Sequence, residues 1–178
     1  MIWNLFKRNK ANQALVERQY AQITRSARSP VFYAEMGAPD TVMGRFEMIT
    51  LHLVLYLRRT GTAGDASQGI AQEIVDAFFE DIDHSIRELG VGDTGVPKRM
   101  KKLARMFYGR AKSYGVAIAA GDSDALVDAL RRNLHPDHPD TAPSMKALSE
   151  WMMITAQKLE DVSEETLAAG QLSFPEAN

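Results

Sequence analysis

The chain has no cysteine among its 178 residues. That excludes disulfides, thiolate catalysis and Cys-based zinc or iron–sulfur sites, and it fits a reducing compartment. Long hydrophobic runs are also missing. The longest charge-free, mostly apolar stretch is Met48 to Leu57, half of the roughly 20 residues a bilayer core requires. A secretory signal is not seen, because the first ten residues place two apolar pairs before three basic ones, the reverse of the required order. These absences predict a soluble protein, or at most one attached to a surface.

Charge of one sign is scarce overall. With 21 basic and 23 acidic side chains the formal net charge is −2, so no global field selects nucleic acid or membrane. Any electrostatic partner must meet a local patch. No Gly-x-Ser-x-Gly, phosphate loop or dinucleotide fingerprint occurs. Gly90 to Gly95 lies between two helical patterns rather than after a strand, so it reads as a connector. No convincing run alternates apolar and polar residues as a half-buried strand would.

What is present is helical periodicity in a length suited to one domain. A first helix is expected from about Asn12 to Ala27, ended by Ser29-Pro30. The loop Pro30 to Asp40 carries Val31, Phe32, Tyr33 and Met36, too much apolar mass for a free linker, so it should pack on the domain. Asp40 or Thr41 caps a second helix reaching about Thr60. That helix is apolar on nearly every face and belongs in the middle of a fold. Gly61 to Gly69 reads as a flexible loop. The third helix spans about Ile70 to Leu89, the fourth about Pro97 to Ala120, the fifth Ser123 to Leu134, and the sixth roughly Ser144 to Val162. The expectation is an all-α protein, a single helical domain of about six helices over residues 1–178, with 1–11 and 163–178 loosely packed.

The fourth helix is the most informative segment. Between Pro97 and Ala120 it holds seven basic residues and no acid. At 100° per residue, Met100, Leu103, Ala104, Phe107, Ala111, Tyr114 and Ile118 gather on one side. Lys98, Lys101, Lys102, Arg105 and Lys112 gather opposite, with Arg99 beside them. A solvated charged face is the bland reading. A single-sign stripe is less bland, because like charges at helical spacing oppose the helix. It suits phosphate backbones, anionic lipid or an acidic protein surface.

Metal and catalytic readings are weaker. The third helix carries Glu73, Asp76, Glu80, Asp81, Asp83 and Glu88, yet Asp81-x-x-His84 occurs once, whereas di-metal helical proteins use such a pair twice. An exposed acidic face, able to pair with the basic helix, is the better reading. His135-Pro136-Asp137-His138 with Asp140 has short ligand spacing but needs a further ligand to complete a zinc site, and it reads better as a turn. His52 inside the apolar second helix reads as a hydrogen-bonded core histidine. No metal, cofactor or small-molecule substrate is expected, and nothing requires catalysis.

Two stretches resemble a known family. One is Arg28-Ser-Pro-Val-Phe-Tyr-Ala-Glu-Met-Gly-Ala-Pro-Asp-Thr-Val-Met-Gly-Arg-Phe-Glu-Met. The other is Phe78-Phe-Glu-Asp-Ile-Asp-His-Ser-Ile-Arg-Glu-Leu-Gly-Val-Gly-Asp, continuing through Val96-Pro-Lys-Arg-Met-Lys-Lys to Phe107-Tyr-Gly-Arg. They are similar to the ubiquinol–cytochrome c chaperone family, over about Tyr20 to Ala120. The resemblance implies a non-enzymatic helical domain that binds newly made cytochrome b and supports complex III biogenesis. Mitochondrial members work near the ribosomal exit tunnel with a small partner protein and carry an extra N-terminal region. A bacterial member on the cytoplasmic side, peripheral on the inner face of the membrane, is the picture implied here. Within it, Lys98, Arg99, Lys101, Lys102, Arg105 and Lys112 become candidates for docking on ribosome, anionic membrane or client. Phe32, Tyr33 and Met36 become candidates for contact with an apolar client, with plain core packing the equal alternative. An RNA- or ribosome-binding protein using helix 97–120 is the first alternative function, and a helical metalloenzyme the second.

Overall fold

The structure is a computed structural model that describes the backbone of residues 2–177 and the side chains of residues 12–177. Eight α-helices are assigned: α1 (Ile2–Ala27), α2 (Pro30–Ala34), α3 (Val42–Thr60), α4 (Asp65–Glu88), α5 (Val96–Ala120), α6 (Ser123–Leu134), α7 (Lys146–Glu160) and α8 (Glu164–Ala168). No strand occurs among the described residues. Six helices are long, as the periodicity predicts, and α2 and α8 are single turns. The N-terminal part of α1 extends the first helix beyond the expected start. The expectation that residues 1–11 pack loosely falls outside the described side chains.

Helix α3 is the axle. It packs against α1, α4, α5, α6 and α7, and Met48, Leu51, Leu53, Leu55 and Tyr56 are each at most 1% exposed. Its all-round apolar sequence is thus explained, since from Phe46 to Tyr56 no face is left for water. Thr41 caps it, with its hydroxyl accepting the Gly44 N–H at 3.0 Å.

Two expectations are corrected. Gly61 to Gly69 is not a flexible loop, because α4 begins at Asp65. The Glu164 carboxylate of α8 accepts the Gly64 N–H at 3.0 Å and the Ser67 hydroxyl at 3.1 Å. A carboxylate from a distant helix therefore satisfies the α4 N-terminus and its dipole. The tail after Ser163 is not loosely packed either. Leu167 and Leu172 are buried. Gln19 donates to the Leu172 carbonyl and accepts its N–H, both at 2.9 Å. Arg18 also donates to the Ala169 and Gly170 carbonyls. The polar composition of the tail conceals two buried leucines, and an amide on α1 fastens the second of them.

A candidate docking site on the fifth helix

Helix α5 starts after Gly95, with Pro97 in its first turn, where a missing N–H costs nothing. It stops at Gly121, whose φ of +65° is the left-handed geometry of a helix terminus. Asp122 then caps α6 through the Ala125 N–H at 2.9 Å. Val96, Phe107, Tyr114, Ala117 and Ile118 are buried, holding the helix against α3, α4 and α6. Phe107 lies 5.6 Å from the Phe78 ring and 5.5 Å from Phe79.

That packing turns Lys98, Arg99, Lys101, Lys102, Arg105 and Lys112 to solvent, and all six are exposed. None takes part in the ion pairs found among the described residues. The structure thus brings the six predicted cations onto one unpaired surface. Tyr108 and Val116 stand exposed on the same helix, at 61% and 64%. The acidic face of α4 is largely exposed, as expected, but it does not also pair with α5. Instead, Asp83 and Asp93 both bind Arg87 at 2.7 Å, Asp81 accepts from Tyr20, and Glu73 accepts from Asn12.

The seventh basic residue behaves differently. Arg110 lies three residues after Phe107 and four before Tyr114, so it shares their inward face. Its Nε donates to Glu47 at 2.8 and 3.1 Å and its Nη2 at 2.6 Å. Glu47 is 4% exposed. Burial pushes its carboxyl above the ordinary range, and the Arg110 guanidinium pulls it partly back. Glu47 and Arg110 form a buried bidentate bridge between α3 and α5, which fixes the register of the basic helix. Sequence reasoning passed over Glu47, although an acid between Phe46 and Met48 in an apolar helix was the signal.

The apolar client candidates are corrected. Phe32 is 1% exposed and Met36 is 4% exposed, so both are core. Phe32 packs edge-on against His52 and Trp151, with centroids 5.4 and 4.8 Å apart. Tyr33 is half-buried and donates its hydroxyl to the Ala27 carbonyl at 2.8 Å. The segment packs on the domain, as its apolar content predicts: α2 turns Phe32 inward and the residues after it turn Met36 inward.

His52 hydrogen-bonds to the Met48 carbonyl and Ser26, as a core histidine does. His135 bonds through Nε2 to the Gly37 carbonyl at 2.9 Å, so it clips two loops together. Among the described residues no three His, Asp or Glu side chains converge as a metal site would need. No helix among them is long and apolar enough to cross a membrane. A cleft of about 370 Å³ opens between the ends of α3 and α7 and the start of α8. Its charges are met internally, Arg58 by Glu160 and Arg59 by the Val162 carbonyl. The α5 surface is therefore the strongest unbalanced feature.

Known proteins agree with this architecture. Residues 34–174 match the family model described as ubiquinol-cytochrome C chaperone. A crystal structure of the Cbp3 homolog from Brucella abortus superposes with a TM-score of 0.89 and 49% identity, covering 99% of this chain and 98% of that one. The ubiquinol-cytochrome-c reductase complex assembly factor 1 of Xenopus laevis is 26% identical over 76% of this chain and 68% of its own length. The corresponding proteins of Mus musculus and Homo sapiens are each 24% identical over 88% of this chain. The chain spans about half the length of those two mammalian relatives, 53% and 52%. A family match over most of an all-helical domain, with near end-to-end likeness to a solved homolog, places this chain in the ubiquinol–cytochrome c chaperone family.

Proposed function

We propose that the chain is an assembly chaperone for respiratory complex III, that it binds newly made cytochrome b, and that it carries out no reaction of its own. The observation that carries this reading is the family match over residues 34–174, and the names of the vertebrate relatives support it. A binding protein without chemistry acts through different affinities for different states of its partner. Here the favoured state is cytochrome b before the complex is complete, because assembly covers the surfaces that a chaperone needs.

In this reading Lys98, Arg99, Lys101, Lys102, Arg105 and Lys112 form the docking surface, on the cytoplasmic side and peripheral to the membrane. The same unpaired cations favour a second reading, in which the surface meets ribosomal RNA near the exit tunnel. A deletion strain tests the first. Cytochrome b should fall in level and spectrum while other respiratory complexes persist, and crosslinking should capture free cytochrome b over mature complex III. Normal cytochrome b in the deletion would put the RNA reading first. Nuclease treatment during capture separates an RNA bridge from direct contact.

A further inference from the structure

Short connections place the start of α3, the end of α4 and the start of α5 at one end of the bundle. Aromatic contacts fix the levels: Phe46 on Phe78 at 5.8 Å, and Phe78 on Phe107 at 5.6 Å. At a rise of 1.5 Å per residue, the α4–α5 turn projects roughly 9 Å past the start of α3. Helix α1 runs parallel to α4, since Asn12 meets Glu73 and Tyr20 meets Asp81, so exposed Arg28 reaches the same end.

Two kinds of exposed side chain collect there. Val42 (68%), Met43 (45%) and Leu89 (63%) are half of the six large hydrophobics exposed among the described residues. Beside them stand Lys98, Arg99, Lys101, Lys102 and Arg105, exposed and outside every ion pair found. The nearby acids are mostly engaged: Asp83 and Asp93 with Arg87, and Asp40 with Arg45. Glu35, Glu80 and Glu88 remain against five unpaired α5 cations, so the balance at this end is positive.

We propose that this end of the bundle docks on an anionic lipid surface, with Leu89, Val42 and Met43 entering the headgroup region while the α5 cations hold lipid phosphates. The proposal rests on the docking role of α5 and names its partner. Leu89 leads on the projecting α4–α5 turn and Val42 and Met43 follow roughly 9 Å behind at the start of α3, a stepped edge that meets a surface at a tilt and lines no groove. A nucleic-acid backbone would use the cations and leave the three hydrophobics in water. Stable yet reversible surface attachment takes two signals, shallow apolar insertion and basic charge, and both occur together here.

Vesicle flotation of the full chain tests this. It should float with phosphatidylcholine–phosphatidylglycerol vesicles, not with phosphatidylcholine alone, and less so as salt rises. Reversal of Lys98, Lys101 and Lys102 to Glu should weaken binding at least about a hundredfold, since loss of each surface cation costs about fivefold and each new carboxylate adds repulsion. The double change Val42→Ser and Leu89→Ser should weaken it about tenfold, the worth of two partly buried aliphatics. Thermal melts of both variants confirm that they fold. No flotation of the full chain, equal flotation with both vesicles, or an unchanged Val42/Leu89 variant overturns the proposal. Binding to purified ribosomal RNA without vesicle binding overturns it in favour of a phosphate-backbone surface. Cytochrome b capture, run in parallel, reads the assembly role separately: a chain that captures client but ignores vesicles sinks only the membrane proposal.

Discussion

His52 is wholly enclosed, with the rings of Phe32, Trp151 and Phe174 at 5.4, 5.1 and 4.8 Å. Burial lowers its pKa from 6.5 to about 4, against a smaller opposing effect of the Met48 carbonyl. The folded state therefore keeps it neutral while the unfolded chain takes a proton below 6.5. Its contribution to stability is full above that value and is lost as pH falls toward 4, on the order of 3 kcal/mol in all. Glu47 acts in the opposite sense, since burial raises its pKa and its ionisation in the fold is disfavoured as pH rises. The diagnostic is thus the difference between the parent and His52→Gln. Urea melts from pH 7 to pH 4 should show the variant losing stability less steeply, by the slope of one proton. Identical slopes would mean that His52 is protonated within the fold.

Helices α3 and α5 show why a glycine must be interpreted by its surroundings. A Cβ on Gly44 would lie 1.8 Å from the Pro39 carbonyl oxygen, whereas one on Gly109 would meet nothing within 4 Å. The first glycine allows the loop after α2 to fold back across the start of α3. Gly44→Ala should cost about 2 kcal/mol or more through overpacking against backbone. Gly109→Ala should stabilise by about 1 kcal/mol, as an exposed helix interior prefers alanine. Denaturant unfolding of the two variants measures both, and a stabilising Gly44→Ala would remove the close approach from the account. The cationic stripe of α5 was legible because its spacing alone separates Lys98, Lys101, Lys102 and Arg105 from Phe107 and Tyr114. Arg110 needed the partner helix, since only the position of Glu47 shows where its charge goes.

At the scale of the whole molecule, the tail joins the two ends of the chain. Leu172 is fully buried and its backbone is held by Gln19, 153 residues away. Phe174 completes the ring cluster on His52. Leu172→Ala should therefore cost between about 2 and 5 kcal/mol, the usual range for a buried leucine. Equilibrium denaturation in urea, read by circular dichroism, gives the value. A loss below about 0.5 kcal/mol would return the tail to the loose packing its composition suggests.

The helical class, the six long helices, the central place of α3 and the outward stripe of α5 were determined by sequence. Each rests on periodicity, and periodicity is local: residues three and four apart share a face whatever lies beyond. The start of α4, the inward turn of Phe32 and Met36, the Glu47–Arg110 bridge and the anchored tail were decided by tertiary structure. In each case the energy comes from a group far along the chain. Glu164 caps α4 from 100 residues away, and Gln19 receives Leu172 across nearly the whole sequence. Such contacts leave no pattern in either segment alone, because a carboxylate or an amide has a defined partner only after the chain has brought the two together.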